Sequence, residues 1–219
     1  MTDWALSLAA AASLIYLLRF AVQGPSLAKS VIKTLSVALL AYVAWAQHLP
    51  PLLTLGLMLG ALGDAFLSRE GDRAFLAGLA SFALSHLAYV ALFVAHPGAD
   101  LAALTDPAFL PFTAAIVALV LGMGWRLWPV TGDLRAPVMV YVAIIAAMGL
   151  SALALGPPVL WAALLFIVSD TILATELFLM KPGNRWRKLA SRLVWVTYWG
   201  AQVLFLLSFL ALDALQGKS

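Results

Sequence analysis

Cysteine is absent from the chain, so no disulfide framework, thiolate nucleophile or cysteine metal site can be built from it. Charge is scarce: Asp, Glu, Lys and Arg make up 11% of the 219 residues, against 64% hydrophobic. A soluble domain carries about 25% charged and about 45–50% apolar residues. With a mean hydropathy of +1.01, this composition excludes a soluble globular enzyme, a disordered protein and a nucleic-acid binder. A positive n-region is also missing. The sequence opens Met1-Thr2-Asp3-Trp4 and no small-residue cleavage site follows, so the first apolar stretch is expected to remain as a helix. Polar and apolar residues do not alternate, which argues against an outer-membrane barrel. There is no Gly-rich phosphate loop, no serine elbow and no Ser-His-Asp set.

What the chain does contain is eight apolar segments: Trp4–Ala21, Ala28–Ala46, Leu52–Leu67, Arg73–Ala95, Phe109–Trp125, Val138–Leu155, Val159–Met180 and Leu189–Ala211. Gly and Pro mark the breaks, as at Gly24-Pro25, Pro50-Pro51, Pro97-Gly98 and Gly156-Pro157-Pro158. A span needs about 20 apolar residues, and backbone groups in hydrocarbon must be satisfied within the segment, so the spans read as helices. The expected fold class is an all-α polytopic membrane protein with eight transmembrane helices, residues 1–219 forming a single integral membrane domain.

The 13 basic and 10 acidic residues leave a net charge of +3, and this surplus sits in loops. Arg19, Lys29 and Lys33 flank the first loop, Arg69 and Arg73 the third, Arg126 and Arg135 the fifth. Lys181, Arg185, Arg187, Lys188 and Arg192 crowd the seventh, and Lys218 stands near the C-terminus. The even-numbered loops have none. The positive-inside rule then predicts odd loops in the cytoplasm and both termini outside. Trp4, Trp45 and Trp161 fall near the outer ends; Trp125, Trp128 and Trp186 fall near the inner ends, as interfacial belts require. The compact loops favour a bacterial inner membrane.

Two carboxyls fall inside spans. Gly63-Asp64-Ala65-Phe66-Leu67-Ser68 on helix 3 parallels Ser169-Asp170-Thr171-Ile172-Leu173-Ala174 on helix 7. A duplication on this pattern would give two parallel four-helix halves. Asp64 lies thirteen residues after Pro51, and Asp170 twelve after Pro158. At about 1.5 Å per residue each sits roughly 18–20 Å below the outer surface. A carboxylate in hydrocarbon costs at least about 2.5–3.5 kcal/mol, so two at one depth point to a wet cavity between helices. Lys33, His86, Tyr89, Tyr141, Tyr198 and Gln202 fall in the same slab. The glycines Gly56, Gly60 and Gly63 form a small-residue stripe on helix 3, a face for close packing that would let Asp64 approach its neighbours. With His48 and His96 at loop edges far from His86, no metal site is expected.

At these residues the sequence resembles the YhhN-like lysoplasmalogenases, a family of eight-helix membrane proteins. The matching blocks are Lys33-Thr34-Leu35, Gly63 to Leu67, Phe75-x-x-Gly78 with Phe82, His86 and Tyr89, Pro137 to Tyr141 with Met148, Phe166-x-x-Ser169-Asp170-x-x-Leu173-Ala174, and Thr197-Tyr198-Trp199-x-Ala201-Gln202. They run over helices 2–8. Thr34 departs from the family pattern, where proline is expected. The resemblance implies hydrolysis of the vinyl ether bond of lysoplasmalogen to a fatty aldehyde and glycerophosphoethanolamine or glycerophosphocholine, with no cofactor. A lysophospholipid and the surrounding membrane lipids are the expected partners, with neither nucleic acid nor a partner protein. An enol ether is cleaved by protonating its β-carbon, which leaves an oxocarbenium ion for water to capture. Two carboxyls in low dielectric resist ionising together, so one keeps its proton while the other faces the cation. The expected catalytic pair is Asp64 and Asp170, with Lys33, His86, Tyr89, Tyr141, Tyr198 and Gln202 binding substrate. The alternative is a proton-coupled transporter, in which intramembrane Asp, His and Lys form a relay.

Overall fold

A computed structural model describes residues 2–216; Lys218, counted above with the loop charges, lies outside the described residues. The described chain is helical, with no strand among those residues. The eight rods follow the predicted order. α1 is Asp3–Ile15, prolonged by a π-helical turn over Tyr16–Phe20; α2 is Leu27–Ala46; α3 is Pro51–Leu67; α4 is Asp72–Ala95. α5 is Leu110–Leu127; α6 is Arg135–Ser151, ending in a 3-10 turn over Ala152–Leu155; α7 is Pro157–Ala174, ending in a π-helical turn over Thr175–Leu179; α8 is Arg187–Gln216. Seven of these rods are long and apolar enough to cross a membrane, and α3, with 17 residues, is a shorter apolar helix.

The ends follow local chemistry. Ser26 caps α2 by accepting from the Lys29 backbone N–H at 3.1 Å. Gly156 takes φ +79°, a conformation closed to most L-residues, and so turns the chain into the Pro157-Pro158 start of α7. Departures from the expected bounds are confined to the ends. α8 begins two residues earlier and continues five residues beyond Ala211. A 3-10 helix over Leu101–Leu104 occupies the fourth loop. The two π-helical turns were not legible, because each keeps the apolar run intact while changing the hydrogen-bond ladder. Both stand at the basic-loop end of the molecule and frame the site described below.

Helices α2, α3, α4, α7 and α8 form the packed centre. α3 lies between α2 and α4, α7 lies along α8, and α8 touches α2 and α3. α6 leans mainly on α4. α5 packs chiefly on α6 and buries only Ile116 and Leu127, so it stands at the periphery. The glycine stripe of α3 does what its composition predicts. A Cβ on Gly60 would stand 2.6 Å from Gln202 Nε2 and 3.2 Å from the Tyr198 hydroxyl, and one on Gly63 would stand 2.6 Å from the Phe82 ring. The absent side chains let α3 close on α4 and α8. All six tryptophans assigned to the interfacial belts (Trp4, Trp45, Trp125, Trp128, Trp161 and Trp186) are exposed. The protein is an integral membrane protein of the all-α class.

Candidate active site

Asp64 sits in the last turn of α3, where the helix presents the negative end of its dipole. Its side chain is 1% exposed, and Lys33 Nζ from α2 approaches its Oδ1 at 2.9 Å. The lysine offsets both the carboxylate and the helix end. Its ammonium is walled by two aromatic rings, lying 5.8 Å from the centroids of both Tyr16 and Trp195, within cation–π range. Trp195 is fixed in turn by donating Nε1–H to Ser13 O and Oγ at 3.1 Å each. On the other side of the carboxylate, the Tyr198 hydroxyl donates to Asp64 Oδ2 at 2.8 Å. Gln202 Nε2 stands 3.4 Å from that hydroxyl, and Tyr89 donates its own hydroxyl to Gln202 Oε1 at 2.6 Å. The network therefore runs Lys33, Asp64, Tyr198, Gln202, Tyr89 across α2, α3, α8 and α4.

A second network holds Asp170 on α7. The Tyr141 hydroxyl from α6 donates to Asp170 Oδ2, and His86 Nε2 from α4 lies 2.9 Å from that hydroxyl and 3.6 Å from the carboxylate oxygen. Since Tyr141 spends its proton on Asp170, it accepts from His86, which fixes the imidazole with its hydrogen on Nε2. His86 Nδ1 is buried without a partner, and the ring packs edge-on to Phe166 with centroids 4.6 Å apart. The Asp170 side chain is 15% exposed, and that exposure opens inward.

Both carboxylates line one cavity of about 630 Å³, together with Lys33, Tyr141 and Tyr198. Neither carboxyl is hydrogen-bonded to the other; each has its own partners. Among the described residues, Asp64 has an ammonium beside it, and Asp170 has none. The cavity lining is mixed: Leu119 and Met123 of α5, Val142 and Ile145 of α6 and Phe75 of α4 are apolar, whereas Lys29, Glu176, Arg187 and Ser191 are charged or polar and belong to the basic-loop end.

Of the residues expected to bind substrate, Lys33, Tyr141 and Tyr198 line the cavity, whereas His86, Tyr89 and Gln202 are fully buried behind it. His86 meets Tyr141, and Gln202 lies between Tyr198 and Tyr89. Their spacing put His86 and Tyr89 on one helix face, yet they serve different carboxylates. Thr34 continues α2 without a kink, its hydroxyl buried and without a hydrogen-bond partner. Sequence reasoning missed Tyr16 and Trp195, the walls around Lys33, because an aromatic in a span carries no mark of function. Glu176 Oε1, beside the cavity, accepts from Ser191 Oγ at 2.7 Å. Lys29 did carry a signal: it lies four residues before Lys33 and so shares its helix face.

The chain is similar to several known proteins. The lysoplasmalogenase TMEM86B of Sus scrofa is 36% identical over 152 residues, covering 69% of this chain and 60% of its own. The lysoplasmalogenase TMEM86A of Bos taurus is 32% identical over 207 residues, covering 84% and 79%. The lysoplasmalogenase TMEM86B of Mus musculus is 32% identical over 214 residues, covering 94% and 86%. No solved structure matches. The YhhN family profile matches residues 28–209, from the first turn of α2 into α8. That interval holds both carboxylates and all the side chains that pair with them, and on this match the chain belongs to the YhhN family.

Proposed function

We propose that the protein is a lysoplasmalogenase, hydrolysing the vinyl ether bond of lysoplasmalogen to a fatty aldehyde and a glycerophospho headgroup. The observation that carries this is the placement of Asp64 and Asp170 on one cavity lined by both apolar and charged side chains. A single-chain lipid has the same two parts: a hydrocarbon tail for the apolar side chains of α5 and α6, and a polar head for Lys29, Glu176 and Arg187. The names of the relatives support the same substrate.

The two carboxylates take different parts. Asp64, paired with Lys33, is the fixed anion that faces developing positive charge. Asp170, with one oxygen held by Tyr141 and access to the cavity, exchanges the proton. Protonated Asp170 delivers its proton to the β-carbon of the vinyl ether, and the C=C electron pair forms the new C–H bond. The resulting oxocarbenium ion is stabilised by Asp64. Water then adds to the α-carbon and returns a proton to Asp170, giving a hemiacetal. Collapse of the hemiacetal breaks the C–O bond and releases aldehyde and alcohol. General acid help is worth about 10²–10⁴-fold, and a placed anion adds to it. Glycosidases divide two carboxyls around a similar cation.

The positive-inside rule supports a cytoplasmic mouth with both termini outside, and the compact loops support a bacterial inner membrane. Purified protein is expected to release aldehyde from lysoplasmalogen and none from the saturated ether analogue. Solute uptake into proteoliposomes with no aldehyde formed would overturn the reading in favour of a transporter.

A further inference from the structure

The mouth of the cavity holds charges that the hydrolytic chemistry does not use. A second hollow of about 310 Å³ adjoins the first and shares Lys29, Glu176, Arg187 and Ser191 with it. Lys29 Nζ donates to Gln23 O at 2.5 Å, and Arg187 Nη1 donates to Met180 O at 3.0 Å. Each is thereby anchored by a single backbone carbonyl and keeps further N–H donors free. Among the described residues neither has a carboxylate partner within ion-pair distance. Lys33, by contrast, is committed to Asp64. Glu176 stands at the same mouth with Oε1 taken by Ser191, and its second oxygen remains to accept.

Spacing along the helices supplies a ruler. Lys29 precedes Lys33 by four residues on α2, which places it about 6 Å nearer the basic-loop end. In an alkenyl glycerophospholipid six bonds separate the phosphorus from the vinyl ether carbon, about 7 Å when extended. Glu176 follows Asp170 by six residues on the α7 rod, roughly 8–9 Å toward the same end. The ammonium of an ethanolamine or choline head lies four bonds beyond phosphorus. Positive charge at the first distance and negative charge at the second match a zwitterionic phospho-headgroup in order and sign.

We propose that Lys29 and Arg187 form the phosphate subsite and Glu176 receives the headgroup ammonium, so that the protein measures its lipid from the mouth inward and sets the vinyl ether between the two aspartates. This inference rests on the lysoplasmalogenase reading for its substrate and adds the headgroup site to it.

Binding of three probes to purified protein, followed by tryptophan fluorescence, tests it: a saturated alkyl lysophosphoethanolamine, the alkylglycerol lacking phosphate, and inorganic phosphate. Lys29→Gln and Arg187→Gln each weaken the lysophospholipid about ten-fold or more, as loss of a charge-assisted hydrogen bond does, and leave the alkylglycerol unchanged. KM for lysoplasmalogen rises by the same factor while kcat holds. Lys29→Arg restores most of the affinity, and Arg185→Gln, which removes one charge outside the hollow, changes nothing. Glu176→Gln weakens the ethanolamine lipid and spares its phosphoglycerol counterpart. If inorganic phosphate binds as tightly as the lipid, the site is a free-anion site and the proposal fails. Unchanged lipid binding and KM in both basic variants, with aldehyde still formed, overturn the subsite and leave the hydrolase reading intact. Loss of lipid binding in those variants, with no aldehyde from the wild-type protein, keeps the subsite and overturns the hydrolase reading.

Discussion

Asp64 and Asp170 occupy matching places on two helices, each in a small, Asp, small, large apolar, Leu, small pattern, yet the tertiary structure treats them differently. Asp64 is sealed, with a lysine on one oxygen and a tyrosine on the other. Asp170 is reached from the cavity and held by Tyr141, with His86 behind it. One carboxyl thus stands beside a cation 2.9 Å away, and the other beside a phenol and an imidazole. On the proposed reaction, the first is the electrostatic support and the second the proton carrier.

The largest effect should come from neutralising either carboxylate. Asp64→Asn and Asp170→Asn are each expected to lower aldehyde release by about 10³-fold or more. Their stabilities should separate them: Asp64→Asn leaves Lys33 buried without an anion, whereas Asp170→Asn keeps an acceptor for Tyr141. Near-normal turnover in either variant would dissolve the pair. Lys33→Met strands Asp64 and is expected to cost about 3–5 kcal/mol, read by thermal unfolding in detergent. Adding Asp64→Asn to it should recover part of that loss, since no unpaired charge remains.

The tyrosines sharpen the contrast at smaller amplitude. Tyr198→Phe leaves Asp64 Oδ2 without its donor and should lower stability by about 1–3 kcal/mol. Tyr141→Phe, beside the more accessible carboxylate, should slow turnover about ten- to hundred-fold with less change in unfolding temperature. Glycines supply the last comparison. Gly60→Ala drives a methyl into Gln202 and Tyr198 and is expected to cost about 1–3 kcal/mol, with loss of activity as Tyr198 shifts. Gly122→Ala on the peripheral α5 meets nothing within 4 Å, and should be neutral or stabilise by up to about 1 kcal/mol through helix propensity. Equal penalties at the two glycines would show that the α3 stripe is not a site-forming contact.

The helices were legible because each is a long apolar run bounded by Pro, Gly or charge, and hydrocarbon leaves the backbone no alternative to internal hydrogen bonding. Asp64, Asp170 and Lys33 were legible for the related reason that a charge in such a run is costly without a purpose. The glycine stripe gave the close face of α3. The roles of His86, Tyr89 and Gln202 were not legible. A polar residue on a span announces that it has a partner, but not whether that partner is substrate or another side chain. Nor does any local pattern mark the aromatic walls of Tyr16 and Trp195.

Composition and periodicity by themselves determined an integral membrane bundle with two acidic groups at one depth, since both follow from the cost of placing backbone and charge in lipid. Only the tertiary structure decided that Lys33 neutralises Asp64 while Tyr141 and His86 hold Asp170. It alone opened a cavity between them and gathered Lys29, Arg187 and Glu176 at its mouth. Those assignments depend on which faces of α2, α4, α6, α7 and α8 turn inward together, and contacts between residues more than a hundred positions apart, such as Tyr89 with Gln202 and Asp64 with Tyr198, exist only once the bundle has closed.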